Sequence, residues 1–245
     1  MSFALRSFVA TAGDRTGEVY ELAASDGTVR AEVWPQWGFN CLKWQVRPTN
    51  DQWADIFFHM PDWTSQPIPT RSGHPILFPF PGRLRHGRLT FAGREYQLPL
   101  TDATKQHAIH GFTPRNRWRV IATQTSPEFA AITGEFHLAH DLPEAREQWP
   151  ADFVLRVTYR LRKHSLRVEA SVQNVGANRL PCGLGYHGYF RIPGMPVSDI
   201  QGCFVQAHVH KMWHSEQQLP TGDCPGVTPE LDFRQARILG MTPLD

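Results

Sequence analysis

The clearest alternation in the chain begins at Phe153. Phe153, Leu155, Val157, Tyr159 and Leu161 alternate with Val154, Arg156, Thr158 and Arg160. A period of two sends successive side chains to opposite faces of a strand. The pattern predicts one strand, a turn at Lys163–His164, and a returning strand LRVEASVQNV, together an antiparallel sheet with one wet face.

Shorter alternating runs fill much of the remainder. Between Thr16 and Val46 extended segments are cut by turn residues, and Asp26-Gly27 predicts a hairpin, since both residues tolerate the positive φ of a tight primed turn. From Arg47 to Arg71, Trp53, Trp63 and the prolines Pro48, Pro61, Pro67 and Pro69 break any period. Proline fixes φ and removes a donor, so this reads as a long surface connection. Trp118–Ala122 and Phe129–Thr133 predict strands, and DLPEAREQWP has room for one short helix before Pro150. In PCGLGYHGYFRI, glycines surround His187, a density that marks close approach to a strand or a ligand. CFVQAHVHKMWH alternates again, and PELDFRQARILGMTPLD runs out with no closing strand. Helical periodicity is nearly absent. The expected class is all-β, a sandwich or related two-sheet architecture, and 245 residues fit a single domain spanning 1–245.

Composition removes several function classes. A net charge of +2, with scattered Lys and Arg, supplies no footprint for nucleic acid or an anionic membrane. Cys41, Cys182, Cys203 and Cys224 are far apart and form no C-x-x-C pair, which argues for free thiols over a zinc or dithiol site. Arg6 interrupts the N-terminal apolar run before it reaches signal-peptide length, and no later run approaches a membrane span. A cytoplasmic location is the default expectation.

Candidate chemistry centres on GHPILFPFPGRLRHGRLTFAGREYQLPLTDATKQHAIHG, residues 73–111. It joins an apolar run broken by prolines to an arginine-rich turn with Arg83 and Arg85, a short hairpin, and the pair His107 and His110. His107, His110 and His187 each fit either a functional histidine or a half-buried hydrogen-bonded one. His208, His210 and His214 form H-x-H-x-x-x-H, whose first two members share a strand face that a metal could use. Their alternation fits exposed histidines better. His137 and His140 read as surface residues.

FPFPGRLRHGRLTFAGREYQLP followed by HAIHGF resembles the signature of the aldose 1-epimerase, or galactose mutarotase-like, family. LGYHGYFRI resembles that family's second histidine motif, and ELDFRQARILG its aspartate-phenylalanine stretch. Gly82 and Gly188 depart from the residues frequent at those places. The resemblance implies an all-β supersandwich and an isomerase that interconverts the α and β anomers of a hexose. It implies Arg83 as a substrate-binding arginine, His110 as the histidine bonding the sugar near its reacting end, His187 as the general acid and Asp245 as a binder of sugar hydroxyls. The ligand would be a free aldose or a sugar phosphate. No metal and no organic cofactor are called for.

Anomer exchange opens the hemiacetal: a base takes the C1 hydroxyl proton while an acid protonates the ring oxygen. Histidine titrates near ~6.5 and suits the acid. In the family the base is a glutamate beyond the aspartate motif, and no glutamate here holds that place. The chain therefore reads as a domain incomplete at its C-terminal end, lacking its last strands, with turnover reduced on the order of a hundredfold or more. The competing expectation is a noncatalytic carbohydrate-binding or sugar-sensing module, with the tryptophans of VWPQWGF and Trp63 as stacking surfaces.

Overall fold

The computed structural model describes residues 2–48, 52–65, 71–195 and 201–241. They form two compact units, Met1–Phe190 and Arg191–Asp245. The first contains two larger antiparallel sheets and, among the described residues, three two-stranded pairs. One has the order β1 (Phe3–Ala12), β2 (Arg15–Ala24), β3 (Val29–Trp34), β4 (Asn40–Val46) and β5 (Ala54–Asp55). Short strands follow: β6 (Ile76–Leu77), β7 (Arg83–Arg85), β8 (Arg88–Phe91), β9 (Arg94–Gln97) and β10 (His107–Ile109). The second sheet runs β11 (Arg119–Thr125), β12 (Ala130–His137), β13 (Phe153–Arg162), β14 (Ser165–Asn174), and β15 (Gly185–Tyr186) closes the unit.

The hairpin expected from Phe153 onward is present. β13 and β14 pair residue for residue from Phe153↔Asn174 to Arg162↔Ser165, with Lys163–His164 as the loop. Phe153, Leu155, Val157, Tyr159 and Leu161 are all buried. The hairpin at Asp26-Gly27 also forms, though not as a tight primed turn. Its loop runs from Ser25 to Thr28, the Asp26 carboxylate accepts the Thr28 N–H (3.1 Å) and hydroxyl (2.7 Å), and only Gly27 takes positive φ. An aspartate side chain thus substitutes for part of the turn backbone.

Strand β1 went unforeseen. Of its residues only Phe3 and Ala12 are buried, so there is little alternation to read, and its register comes from β2, paired from Phe3↔Ala24 to Ala12↔Arg15. DLPEAREQWP contributes only the end of helix α1 (Leu138–Asp141) and a 3-10 segment, Pro143–Gln148.

The inner faces of the two sheets share one core. Leu22, Ala31, Val33 and Cys41 from the first meet Ile132, Phe136, Leu155 and Tyr159 from the second, and the Phe39 ring stacks on Trp118 at 5.5 Å. Trp34, Trp37 and Trp63 form a separate buried cluster with edge contacts of 4.8 and 5.2 Å to Trp63. Trp63 is 8% exposed. The stacking surfaces expected of VWPQWGF and Trp63 are therefore core instead, because each ring is already covered by another.

In the second unit, β16 (Phe204–Val205) pairs with β19 (Arg237–Ile238), and β17 (Ser215–Glu216) with β18 (Leu219–Pro220). The stretch expected to lack a strand thus holds β19, while the alternation from Cys203 to His214 yields only β16. The Arg234 guanidinium is tied to Asp232. None of the four cysteines is in a disulfide among the described residues; Cys41 is buried and Cys182 exposed.

Candidate functional site

The backbone from Gly73 to Gly82 runs between two other segments and bonds to both. On one side β6 pairs with β15, Tyr186 opposite Ile76 and Gly185 opposite Leu77. The ladder extends both ways: Gly183 N–H donates to Pro79 O (2.8 Å), His187 N–H to Pro75 O (3.0 Å) and Tyr189 N–H to Gly73 O (2.9 Å). On the other side Phe78 bridges Gly111, and Phe112 N–H donates to Phe78 O at 2.8 Å. One short strand therefore sets the position of both histidine-bearing segments.

Gly111 explains the tightness of that second contact. It sits at φ +69°, and a Cβ there would lie 2.1 Å from Phe78 O. Only glycine fits both the conformation and the space. His110, just before it, has φ +65°, uncommon for a residue with a side chain. It is held there by its bonds. His110 N–H donates to Gly82 O (2.9 Å), and Gly82 N–H donates back to His110 Nδ1 (3.1 Å).

Because Nδ1 accepts a bond, the proton of the neutral ring belongs on Nε2. Burial pushes the His110 pKa down to about 4, helped by the charges of His187, Arg115 and Arg83. His110 is thus a neutral imidazole with a fixed donor. Arg83 stands beside it, since β7 pairs with β10 in a register that puts Arg83 opposite Ile109. Arg115 secures the same place from behind, donating to Ile109 O (2.9 Å) and Thr101 O (3.2 Å). Its own pKa is lowered by burial.

His187 meets His110 at 5.8 Å between ring centroids and 74° between planes. Its other neighbour is Tyr189, stacked at 4.8 Å and 18°. The histidine is exposed, so its ring reaches solvent. Arg83 and His187 both lie near enough to His110 to act on its charge; Asp245 lies outside the described residues. Among the described residues neither histidine is bonded to a carboxylate.

The remaining histidines separate by environment. His107 is buried, its N–H donating to Asp102 Oδ1 (2.9 Å) and its Nδ1 accepting from His86 N–H (3.1 Å). It is structural, together with Asp102, whose pKa is held down to about 2 by the Thr104 hydroxyl and the N–H groups of His107 and Gln106. His137 is not a free surface residue: its Nε2 bonds Asp152 Oδ2 at 2.9 Å and pins the end of β12. His208, His210 and His214 are exposed. No three His, Cys, Asp or Glu residues converge as a metal site among the described residues. Three neighbours of the pair are not among the residues the sequence points to: Arg115, Tyr189 and His74. The clue for Tyr189 was its place two residues after His187, but that His74 stands close by follows only from the β6–β15 pairing.

Two packed antiparallel sheets, with a histidine pair held across a short strand, place the protein in the galactose mutarotase-like β-sandwich class. The chain belongs to the aldose 1-epimerase family, whose sequence model matches residues 23–245. It is similar to the uncharacterized protein YihR of Escherichia coli, 33% identical over 181 residues, covering 69% of this chain and 52% of the relative. The chain thus spans about half the length of that relative. A crystal structure of a galactose mutarotase-like protein from Clostridium acetobutylicum superposes with a TM-score of 0.75 at 24% identity, over 94% of this chain and 66% of the other. Galactose 1-epimerase from Lactobacillus acidophilus gives a TM-score of 0.74 at 17% identity, over 98% of this chain and 68% of the other. At these identities the structures establish the fold. No helix among the described residues is long and apolar enough to cross a membrane.

Proposed function

We propose that the chain binds an aldose, free or phosphorylated, and interconverts its α and β anomers by acid/base ring opening. The observation that carries this reading is the facing pair of dissimilar histidines. His110 is neutral, with Nδ1 occupied by the Gly82 N–H and Nε2–H left to donate. His187 stands exposed 5.8 Å away, with no bond to its ring from a carboxylate among the described residues. In this reading His187 gives its proton to the ring oxygen and regains it on closure. His110 and Arg83 hold the oxygens on which charge develops, as fixed donors that need no reorganisation. Asp245 binds hydroxyls, and the C1 hydroxyl proton passes to a base that none of these residues supplies.

Polarimetry of freshly dissolved α-glucose and α-galactose tests the reading. His187→Asn should lower the protein-dependent rate by about 10²–10⁴-fold with little change in sugar affinity by calorimetry. Equal losses of rate and affinity, or a rate indifferent to His187, would sink the acid role. Sugar binding with no turnover under any condition would instead favour the noncatalytic module, whose proposed tryptophan surfaces are buried in the core.

A further inference from the structure

His74 takes no part in the proposed chemistry, yet it lies close to both chain neighbours of His187. Its ring is stacked between two others, Phe57 at 5.4 Å and 13°, and Tyr186 at 4.8 Å and 22°. On the far side of His187 the backbone of Gly188 comes so close that a Cβ there would lie 3.1 Å from His74 Cδ2. Tyr186, immediately before the candidate acid, thus stacks on this buried imidazole, and the backbone of Gly188, immediately after it, passes close to the imidazole's edge, with the Phe190 ring nearer still.

That imidazole is itself fixed. His74 is 9% exposed. Its backbone N–H donates to Asn40 Oδ1 at 2.7 Å, and the buried Tyr159 hydroxyl donates to the His74 backbone carbonyl at 3.3 Å while lying 3.4 Å from the ring Nδ1. Asn40 is anchored in turn by donating to Ser72 O at 3.0 Å. A ring clamped by the core on one side and covered by Tyr186 on the other makes a rigid seat. The β6–β15 ladder fixes the His187 backbone along the strand direction. The seat fixes it perpendicular to the strand, which a ladder alone leaves free to twist.

We propose that His74 is a positioning residue for His187, setting the direction of its ring through Tyr186 and Gly188 without touching the sugar. The proposal rests on the reading of His187 as the acid, and misplacing a reacting group by ~1 Å is enough to cost on the order of a hundredfold in rate. What matters is a flat ring at residue 74, so a phenyl should serve and a branched aliphatic should not.

The test compares wild type with His74→Phe, His74→Leu and Tyr186→Ala, the last removing the outer layer from an exposed position that does not endanger folding. Two measurements are made: the imidazole proton signals of His187 by NMR, which sense its stack on Tyr189, and the kinetics of anomer exchange. His74→Leu and Tyr186→Ala should move the His187 signals and lower kcat roughly ten- to a hundredfold, with KM within about twofold. His74→Phe should leave both near wild type. Folded His74→Leu or Tyr186→Ala with unchanged His187 signals would overturn the proposal, as would a His74→Phe variant as impaired as His74→Leu. If the wild type shows no turnover, the acid reading fails, and the NMR signals alone still decide whether His74 sets the orientation of His187.

Discussion

Gly82 and His110 bond to each other twice, through His110 N–H to Gly82 O at 2.9 Å and Gly82 N–H to His110 Nδ1 at 3.1 Å. The second bond leaves the neutral ring a single tautomer, with the proton on Nε2. Burial and three nearby cations hold that neutral form down to about pH 4. An NMR titration of the His110 ring should accordingly show the Nε2–H tautomer throughout the neutral range, with protonation complete only below about pH 4. Arg83→Met removes one of the depressing charges, so its His110 should titrate at higher pH than wild type. A midpoint near that of free histidine in the wild type would contradict the geometry.

Acid sensitivity of the fold follows from His74. Burial pushes its pKa down to about 4, against about 6.5 in an unfolded chain. Between those values the unfolded state binds a proton that the native state refuses, so stability rises with pH across the window. Lowering pH from about 6.5 to about 4 should therefore cost on the order of 3 kcal/mol from this residue, with His110 acting in the same direction. Urea denaturation at several pH values checks this, and His74→Phe should show a flatter dependence.

Gly111→Ala should be severely destabilising, by roughly 3 kcal/mol or more. The added methyl meets the Phe78 carbonyl at 2.1 Å, and the backbone is already at φ +69°. Any folded fraction should have its His110 displaced, so sugar affinity should fall with the denaturation midpoint. A variant with wild-type stability would mean that Phe78 and Gly111 are not in contact.

Trp63→Ala separates core from surface. With its ring edge-on to both Trp34 and Trp37, its loss should cost about 3–5 kcal/mol in stability. Sugar affinity, measured where the variant remains folded, should be unchanged. Lost affinity with retained stability would restore these tryptophans as a binding surface.

How much of this was legible in the sequence depended on whether a residue's environment is local. The β13–β14 hairpin was readable because alternation from Phe153 to Leu161 reports a buried face directly. Strand β1 was silent because it is mostly exposed, and its partner imposes its register. Arg83, His110 and His187 were nominated through their family resemblance, since spacing alone left His107 and His110 equivalent. What divides those two is burial: His107 turns inward to Asp102 and His86, while His110 turns to Gly82 and His187. His74 was invisible for a related reason, because its partners Asn40, Tyr159 and Tyr186 are scattered along the chain and meet only through sheet pairing.

The strand from Ile76 to Phe78 acts as a common datum for the two histidines. Each is referenced to it by hydrogen bonds within a few residues, so a twist or translation of the larger sheets carries both together and their separation does not accumulate error along the chain. Tolerance to change should follow the same division. Loops far from this datum are free to diversify the ligand, while the His110–His187 gap is reset only by altering residues 73–82 or the segments that bond to them.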